Sequence, residues 1–169
     1  SVMIRPAKPV DERRIQEHFY SLEKQDVVSR FFHEKSTFAR DEVEGLSQID
    51  YMKNLTLVAV VGEFGFGRVV GVAEYLLDES TNMAEVAFSV SRGYQQKGLG
   101  RLLMEQISRA ALENGIAGFL AYIAPDNQGM HNLFNTLSYR VDCEPEEDVL
   151  LLRCRFDDPK PETESKEPQ

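Results

Sequence analysis

A chain of 169 residues, 42% hydrophobic and 28% charged, suffices for one globular domain with a core of its own. Its net charge of −9 argues against nucleic acid and anionic membrane as main partners. No apolar run reaches the length of a bilayer span and no signal-peptide pattern opens the chain, so the expected setting is cytoplasmic.

Val2 to Arg5 is a short β-prone run ended by Pro6. Pro9-Val10-Asp11-Glu12 then opens a helix, since proline and acids suit a first turn with open N–H groups. Ile15, Phe19 and Leu22 recur at helical spacing. Val27, Val28, Phe31 and Phe32 predict a second helix, and the acidic stretch Arg40 to Ile49 a third. The period then changes. Leu55 to Val61, Val69 to Leu77 and Met83 to Val90 read as three strands of an antiparallel meander. Turns are expected at Gly65-Phe66-Gly67 and Asp78 to Asn82, and Gly62, Gly65, Gly67 and Gly71 are read as hairpin glycines.

A helix follows from about Gly98, with Leu99, Leu102, Leu103, Ile107, Ala110 and Ala111 as its apolar stripe and Asn114-Gly115 as its stop. Gly118 to Ile123 is apolar enough for a strand buried on both faces. Asp126 or Asn127 can cap a helix carrying Met130, Leu133, Phe134 and Leu137. Tyr139 to Cys143 and Val149 to Phe156 are the closing strands. The order β, helices, βββ, α, β, α, ββ predicts a mixed α/β (α+β) sheet with helices packed on it, as one domain over residues 1–156. Residues 157–169 hold five acids, two lysines and three prolines with no apolar side chain, which predicts a disordered acidic tail. The start at Ser1-Val2, without Met, is that expected of a domain taken from a longer protein. Cys143 and Cys154 lie outside any metal-ligand spacing, so no metal is expected; both are read as small core or surface residues in strands near enough that a disulfide stays open.

The stretch Val90-Ser91-Arg92-Gly93-Tyr94-Gln95-Gln96-Lys97-Gly98-Leu99-Gly100-Arg101 joins a strand to a helix whose first turn holds two glycines. A helix start offers N–H donors and a partial positive charge, and Lys97 and Arg101 add cationic side chains. There is no GxxxxGK[ST] P-loop, and the residue three beyond Gly100 is Leu103, against the dinucleotide fingerprint. On physics alone the stretch is either an anion site or a tight strand–helix turn.

Gln95-Gln96-Lys97-Gly98-Leu99-Gly100 resembles the cofactor motif of the GNAT acetyltransferases, Arg/Gln-x-x-Gly-x-Gly/Ala between a strand and a long helix. The resemblance implies a central, mostly antiparallel sheet flanked by helices, and acetyl-CoA as acyl donor. It implies that the amides from Gln95 to Gly100 grip the pyrophosphate, with Arg101 beside them as a further cofactor contact, and that Phe88, Ser89 and Val90 pair with the pantetheine arm. Asn127-x-x-Met130-x-x-Leu133-x-x-x-Leu137-Ser138-Tyr139 is similar to the second signature of that family, which implies cofactor contacts at Asn127, Met130 and Phe134, although Ser138-Tyr139 stands where the family has Gly-Phe. Ile4-Arg5-Pro6 with Asp11-Glu12, Ser29-Arg30-Phe31-Phe32 and Asn127-x-x-Met130 look like the Pat-type protein lysine acetyltransferases, a branch often fused to acyl-CoA enzymes. The similarity runs from Ile4 to about Phe156.

Acyl transfer to an amine needs a neutral nucleophile and a polarised thioester carbonyl, but neither a metal nor a covalent intermediate. His18, His33 and His131 form no triad spacing and are read as surface or satisfied core residues. On the strand Met83 to Val90, Ala84, Val86, Phe88 and Val90 share one face and Glu85, Ala87 and Ser89 the other. By itself Glu85 is either a solvated surface acid or a part-buried base; the resemblance implies the general base. Many GNAT enzymes carry a tyrosine acid seven residues beyond the helix-start Asn, where this chain has Phe134, so water, the amine's own proton, Tyr122 or Tyr139 would have to serve. The expected activity is N-acetyl transfer from acetyl-CoA to an amine, a protein lysine above all, by direct attack on the thioester. The alternatives are a small-amine N-acyltransferase, or a non-catalytic acyl-CoA sensor of a larger CoA-handling enzyme.

Overall fold

Alternating and β-branched apolar residues build seven strands in the computed structural model, which describes residues 2–22, 54–62, 67–95 and 97–161. These are β1 (Val2–Pro6), β2 (Asn54–Val61), β3 (Arg68–Asp78), β4 (Met83–Val90), β5 (Gly118–Ile123), β6 (Asp142–Glu146) and β7 (Val149–Arg155). Among the described residues the α-helices are α1 (Glu12–Ser21), α2 (Leu99–Glu113) and α3 (Gln128–Asn135). The strands form one sheet in the order β1-β2-β3-β4-β5-β7-β6, antiparallel at every step except β4 to β5. The mixed sheet flanked by helices is the one the element order predicts. The expected helices around Val27 to Phe32 and over Arg40 to Ile49 lie outside the described residues, as do Gly65, Phe66 and residues 162–169.

Strand alternation sends side chains to two layers. Leu57, Tyr75, Val86, Phe88 and Phe119 face Leu103 and Ile107 of α2 and Met130 and Phe134 of α3 in the main core. Val58, Val69 and Val72 face the other way, under Ile15 and Phe19 of α1. α1 is tied to β1 by Asp11, which is fully buried: its carboxylate accepts two bonds from the Arg5 guanidinium, at 2.7 and 2.8 Å, and one from the Lys8 N–H at 2.7 Å. The Arg5 and Asp11 of the sequence signature are therefore a brace between strand and helix.

Three expectations need correction. The strand before β7 is Asp142–Glu146, not Tyr139 to Cys143; a tight turn at Glu147-Asp148 pairs Glu146 with Val149, so the strand must end at that turn. It is an exposed edge and needs no inward apolar face, which is why an acidic segment containing Pro145 serves. Tyr139 instead bridges to Pro159, and the main chain of Asp158 and Lys160 is hydrogen bonded to Arg140 and Ser138. On α2, Leu102 is 49% exposed, whereas Met104 and Ser108 join Leu99, Leu103, Ile107 and Ala111 on the buried side. At about 100° per residue Leu102 falls opposite the centre of that side. Lastly, Gly71 is no hairpin residue. It pairs with Val90 inside the β3–β4 ladder, and a Cβ there would come within 3.2 and 3.3 Å of Leu103 and Leu99. Its missing side chain lets the first turns of α2 press onto the sheet.

Cys143 and Cys154 are both free thiols, the first exposed and the second buried, and burial pushes the Cys154 thiol up to about 11.

Candidate active site

The parallel step in the sheet is short. β4 pairs with β5 only from Met83 to Glu85, against Gly118 to Leu120, and from Val86 onward the two strands part company while β5 stays paired with β7. Antiparallel ladders alternate, and the Ser91 N–H donates to the Val70 carbonyl at 2.8 Å, so the odd-numbered residues of β4 bond to β3. Val86, Phe88 and Val90 therefore turn their main-chain N–H and C=O groups towards the opening, whereas those of Ser89 face β3. The Val90 carbonyl accepts the side-chain amide of Gln95 at 2.9 Å.

At the mouth of this opening the chain makes a short 3-10 turn, Arg92–Tyr94, and enters α2 through Gly98. Gly98 holds φ 86°, a left-handed conformation that costs other residues about 1–2 kcal/mol. A Cβ there would meet nothing within 4 Å, so conformation rather than crowding demands the glycine and the space above it is open. The first helical bond runs from the Leu102 N–H to the Gly98 carbonyl, and the N–H groups of a first turn have no partner within their helix. Leu99 is buried and anchors the turn, Gly100 lies against Leu133 of α3, and Lys97 and Arg101 are exposed. Gln96 lies outside the described residues. The arrangement fits a phosphate-bearing ligand: converging donors, the positive end of a helix, clear space, and two cations at the rim.

Asn127 caps α3, its Oδ1 accepting from the Met130 N–H at 3.1 Å. Met130 and Phe134 are fully buried in the main core, and Phe134 has no proton to give. Tyr139 packs against Phe156 with ring centroids 5.2 Å apart, whereas Tyr122 is half-buried on the sheet face that carries Glu85.

Glu85 is half-buried on the face turned away from α2 and α3, with Leu76 and Leu120 as its cross-strand neighbours. Ala87 and Ser89 follow it along that face, both buried. Two functional-looking residues there escape sequence reasoning. Glu74 of β3, opposite Ala87, is only 5% exposed and accepts from the Thr56 hydroxyl at 3.3 Å. A single acid in the apolar run of β3 was the available signal, but its place depends on the β3–β4 register. His18 of α1 is 2% exposed and spans Ser89 (Nε2 to Oγ, 2.9 Å) and Ser91 (Nδ1 to Oγ, 3.2 Å). Burial, with Arg68 nearby, drives its imidazole down to about 4 against the pull of the Val69 carbonyl, so it is neutral at pH 7. Among the described residues no three His, Cys, Asp or Glu side chains gather as a metal group. A groove of about 370 Å³ between Leu55, Leu57 and Arg109 opens on the other face of the sheet from Glu85.

A sheet that opens between its two central parallel strands, with a glycine-led helix start at the mouth and a carboxylate on the strand leading to it, defines an acyl-CoA-handling fold. The chain belongs to the GNAT acetyltransferase family, whose model matches residues 17–139. It is 26% identical to Acetyltransferase PA5475 of Pseudomonas aeruginosa over 151 residues, 89% of this chain and 81% of that protein. It is 29% identical to Acetyltransferase Pat of Mycolicibacterium smegmatis over 135 residues, 79% of this chain but 40% of that longer protein. The fold is shared with the GNAT domain of S. lividans PAT, at TM-score 0.78 and 24% identity, over 92% of this chain and 90% of that one.

Proposed function

We propose that this GNAT acetyltransferase domain moves an acetyl group from acetyl-CoA to a lysine side chain of a protein, with Glu85 as general base. The observation that carries the reading is the opening between β4 and β5, edged by the main chain of Phe88 and Val90 and closed at one end by the Gly98 helix start. An extended pantetheine arm has the hydrogen-bonding groups to replace the missing strand, and the pyrophosphate then falls at the first turn of α2. Gln95, Lys97, Leu99, Gly100 and Arg101 supply the phosphate end; Asn127 stands at the start of α3.

The acceptor arrives as an ammonium ion. Glu85 takes one proton, the freed amine attacks the thioester carbonyl and the C–N bond forms; the C–S bond then breaks, and the second proton shed by the amine nitrogen passes to the departing thiolate, directly or through water. Leu76 and Leu120 are the cross-strand neighbours of Glu85, so the carboxylate is half-buried on an otherwise apolar stretch of the sheet face. The protein-lysine acceptor draws support from the β6–β7 hairpin. Its turn residues Glu147 and Asp148 follow Glu146 and precede Val149, and β7 pairs Leu150 with Ile123, so the acidic hairpin lies at the sheet end where β4 and β5 diverge. A cationic peptide meets complementary charge there.

The test is Glu85→Gln. Turnover with a lysine peptide should fall about 10²–10⁴-fold while calorimetric affinity for acetyl-CoA stays at the parent value. Undiminished turnover removes Glu85 from the mechanism. Binding of acetyl-CoA without turnover by the parent chain, on peptides and small amines alike, replaces the enzyme reading with that of an acyl-CoA sensor.

A further inference from the structure

We infer that His18 is a positioning residue for the acyl-CoA arm: by holding Ser89 and Ser91 it orients the main chain of Val90 between them. The inference rests on the proposed reading that the open edge of β4 receives that arm.

Beyond Glu85, β4 has lost β5 and keeps β3 as its ladder partner. A strand bonded on one side twists more freely than one held on both. His18 supplies a second restraint, from the face of the sheet. Ser89 and Ser91 stand two residues apart and so project to the same side, and one imidazole reaches both, at 2.9 and 3.2 Å. Bridging those two side chains fixes the pleat of the residue between them. That residue is Val90, whose N–H points into the opening and whose carbonyl is already held by Gln95.

The ring suits the task. A neutral imidazole offers one donor nitrogen and one acceptor; each nitrogen has a serine hydroxyl within reach, and the Val69 carbonyl beside the ring is a further acceptor for its N–H. With His18 and Ser89 both buried, loss of either partner strands a polar group in the interior. The platform behind the ring is rigid, because the Arg5–Asp11 brace sets the start of α1 and Ile15 and Phe19 pack on the sheet.

The experiment compares His18→Phe, which keeps a ring and removes both nitrogens, with the Ser89→Ala/Ser91→Ala double variant, which keeps the histidine. Each is checked for folding by thermal unfolding, then titrated with acetyl-CoA and assayed well below its melting midpoint. Both should raise Kd and KM for acetyl-CoA about tenfold and leave kcat within about twofold of the parent. The triple variant should bind no more weakly than His18→Phe, as expected of groups acting as one unit. His18→Gln, whose amide reaches the Nε2 position, should recover part of the affinity.

Parent-like Kd and KM in a folded variant overturn the inference, even with a lowered melting midpoint, because a role in stability alone moves the second and not the first. Should His18→Phe fail to fold, the serine pair decides by itself. Gly98→Glu separates the inference from its premise. If that variant, folded, still binds acetyl-CoA as the parent does, the cofactor is not at this loop and the premise falls. If it loses binding while the His18 and serine variants keep it, the inference alone falls.

Discussion

Asp11 shows what a single buried carboxylate does in this chain. Burial pushes its proton affinity up, but the Arg5 guanidinium, the Lys8 N–H and Arg14 outweigh it, and the group titrates below the usual carboxylate range. Asp11→Ala leaves Arg5 facing a low-dielectric gap, and chemical denaturation should report a loss of about 3 kcal/mol. Nothing in the pattern Ile4-Arg5-Pro6…Asp11 says that these two residues touch, because the contact depends on the turn at Lys8 to Asp11. Glu85 was easier to read. Alternation along Met83 to Val90 puts it opposite the core face wherever the strand sits. His18 and Glu74 were not, since each becomes notable only through residues of other strands: Ser89 and Ser91 for the one, Thr56 and Ala87 for the other.

At the scale of elements, the junction of β4 and α2 is the proposed phosphate site, and its conformation and its charge make separable demands. Gly98→Ala keeps the space above the helix start clear but pays for φ 86° with a methyl group. Thermal unfolding should show about 1 kcal/mol lost, with acetyl-CoA affinity within a few fold of the parent. Gly98→Glu adds a carboxylate at the proposed phosphate contact, and calorimetry should find binding abolished. Equal affinities for the two variants would move the phosphates elsewhere. Gly71 belongs to the same junction: without a side chain it lets Leu99 and Leu103 seat α2 beside Val90, which places the helix start at the mouth of the opening.

For the whole molecule the linked protons predict an acid-labile fold. His18 titrates at about 4 when folded against 6.5 in an open chain, so between those values the unfolded state binds more protons and stability rises with pH. That contribution is complete above pH 6.5 and is lost as pH falls towards 4, by about 3 kcal/mol at most. Asp11 acts in the same direction at lower pH: its stabilisation is present above the ordinary carboxylate value and lost as pH falls through its depressed one. Melting midpoints measured from pH 8 to 4 should fall steadily below pH 6.5, and His18→Phe should flatten the upper part of that slope. An unchanged slope in the variant would assign the acid lability to other groups.

The order of strands and helices, the alternation on β4 and the glycine-led entry to α2 follow from the chain alone, because each is a local matter of period, turn residue or cap. The family likewise rests on short motifs that survive in linear order. What local sequence does not encode is which strands separate. The ladder between β4 and β5 ends at Glu85 because β5 follows β7, while β4 follows β3 into the Gly71–Val90 pair. The opening, the buried His18 bridge beside it and the acidic hairpin at its end all come from pairings across the sheet between residues distant in the chain. Such contacts are set by the packing of two layers on a twisted sheet, and no window of neighbouring residues contains them.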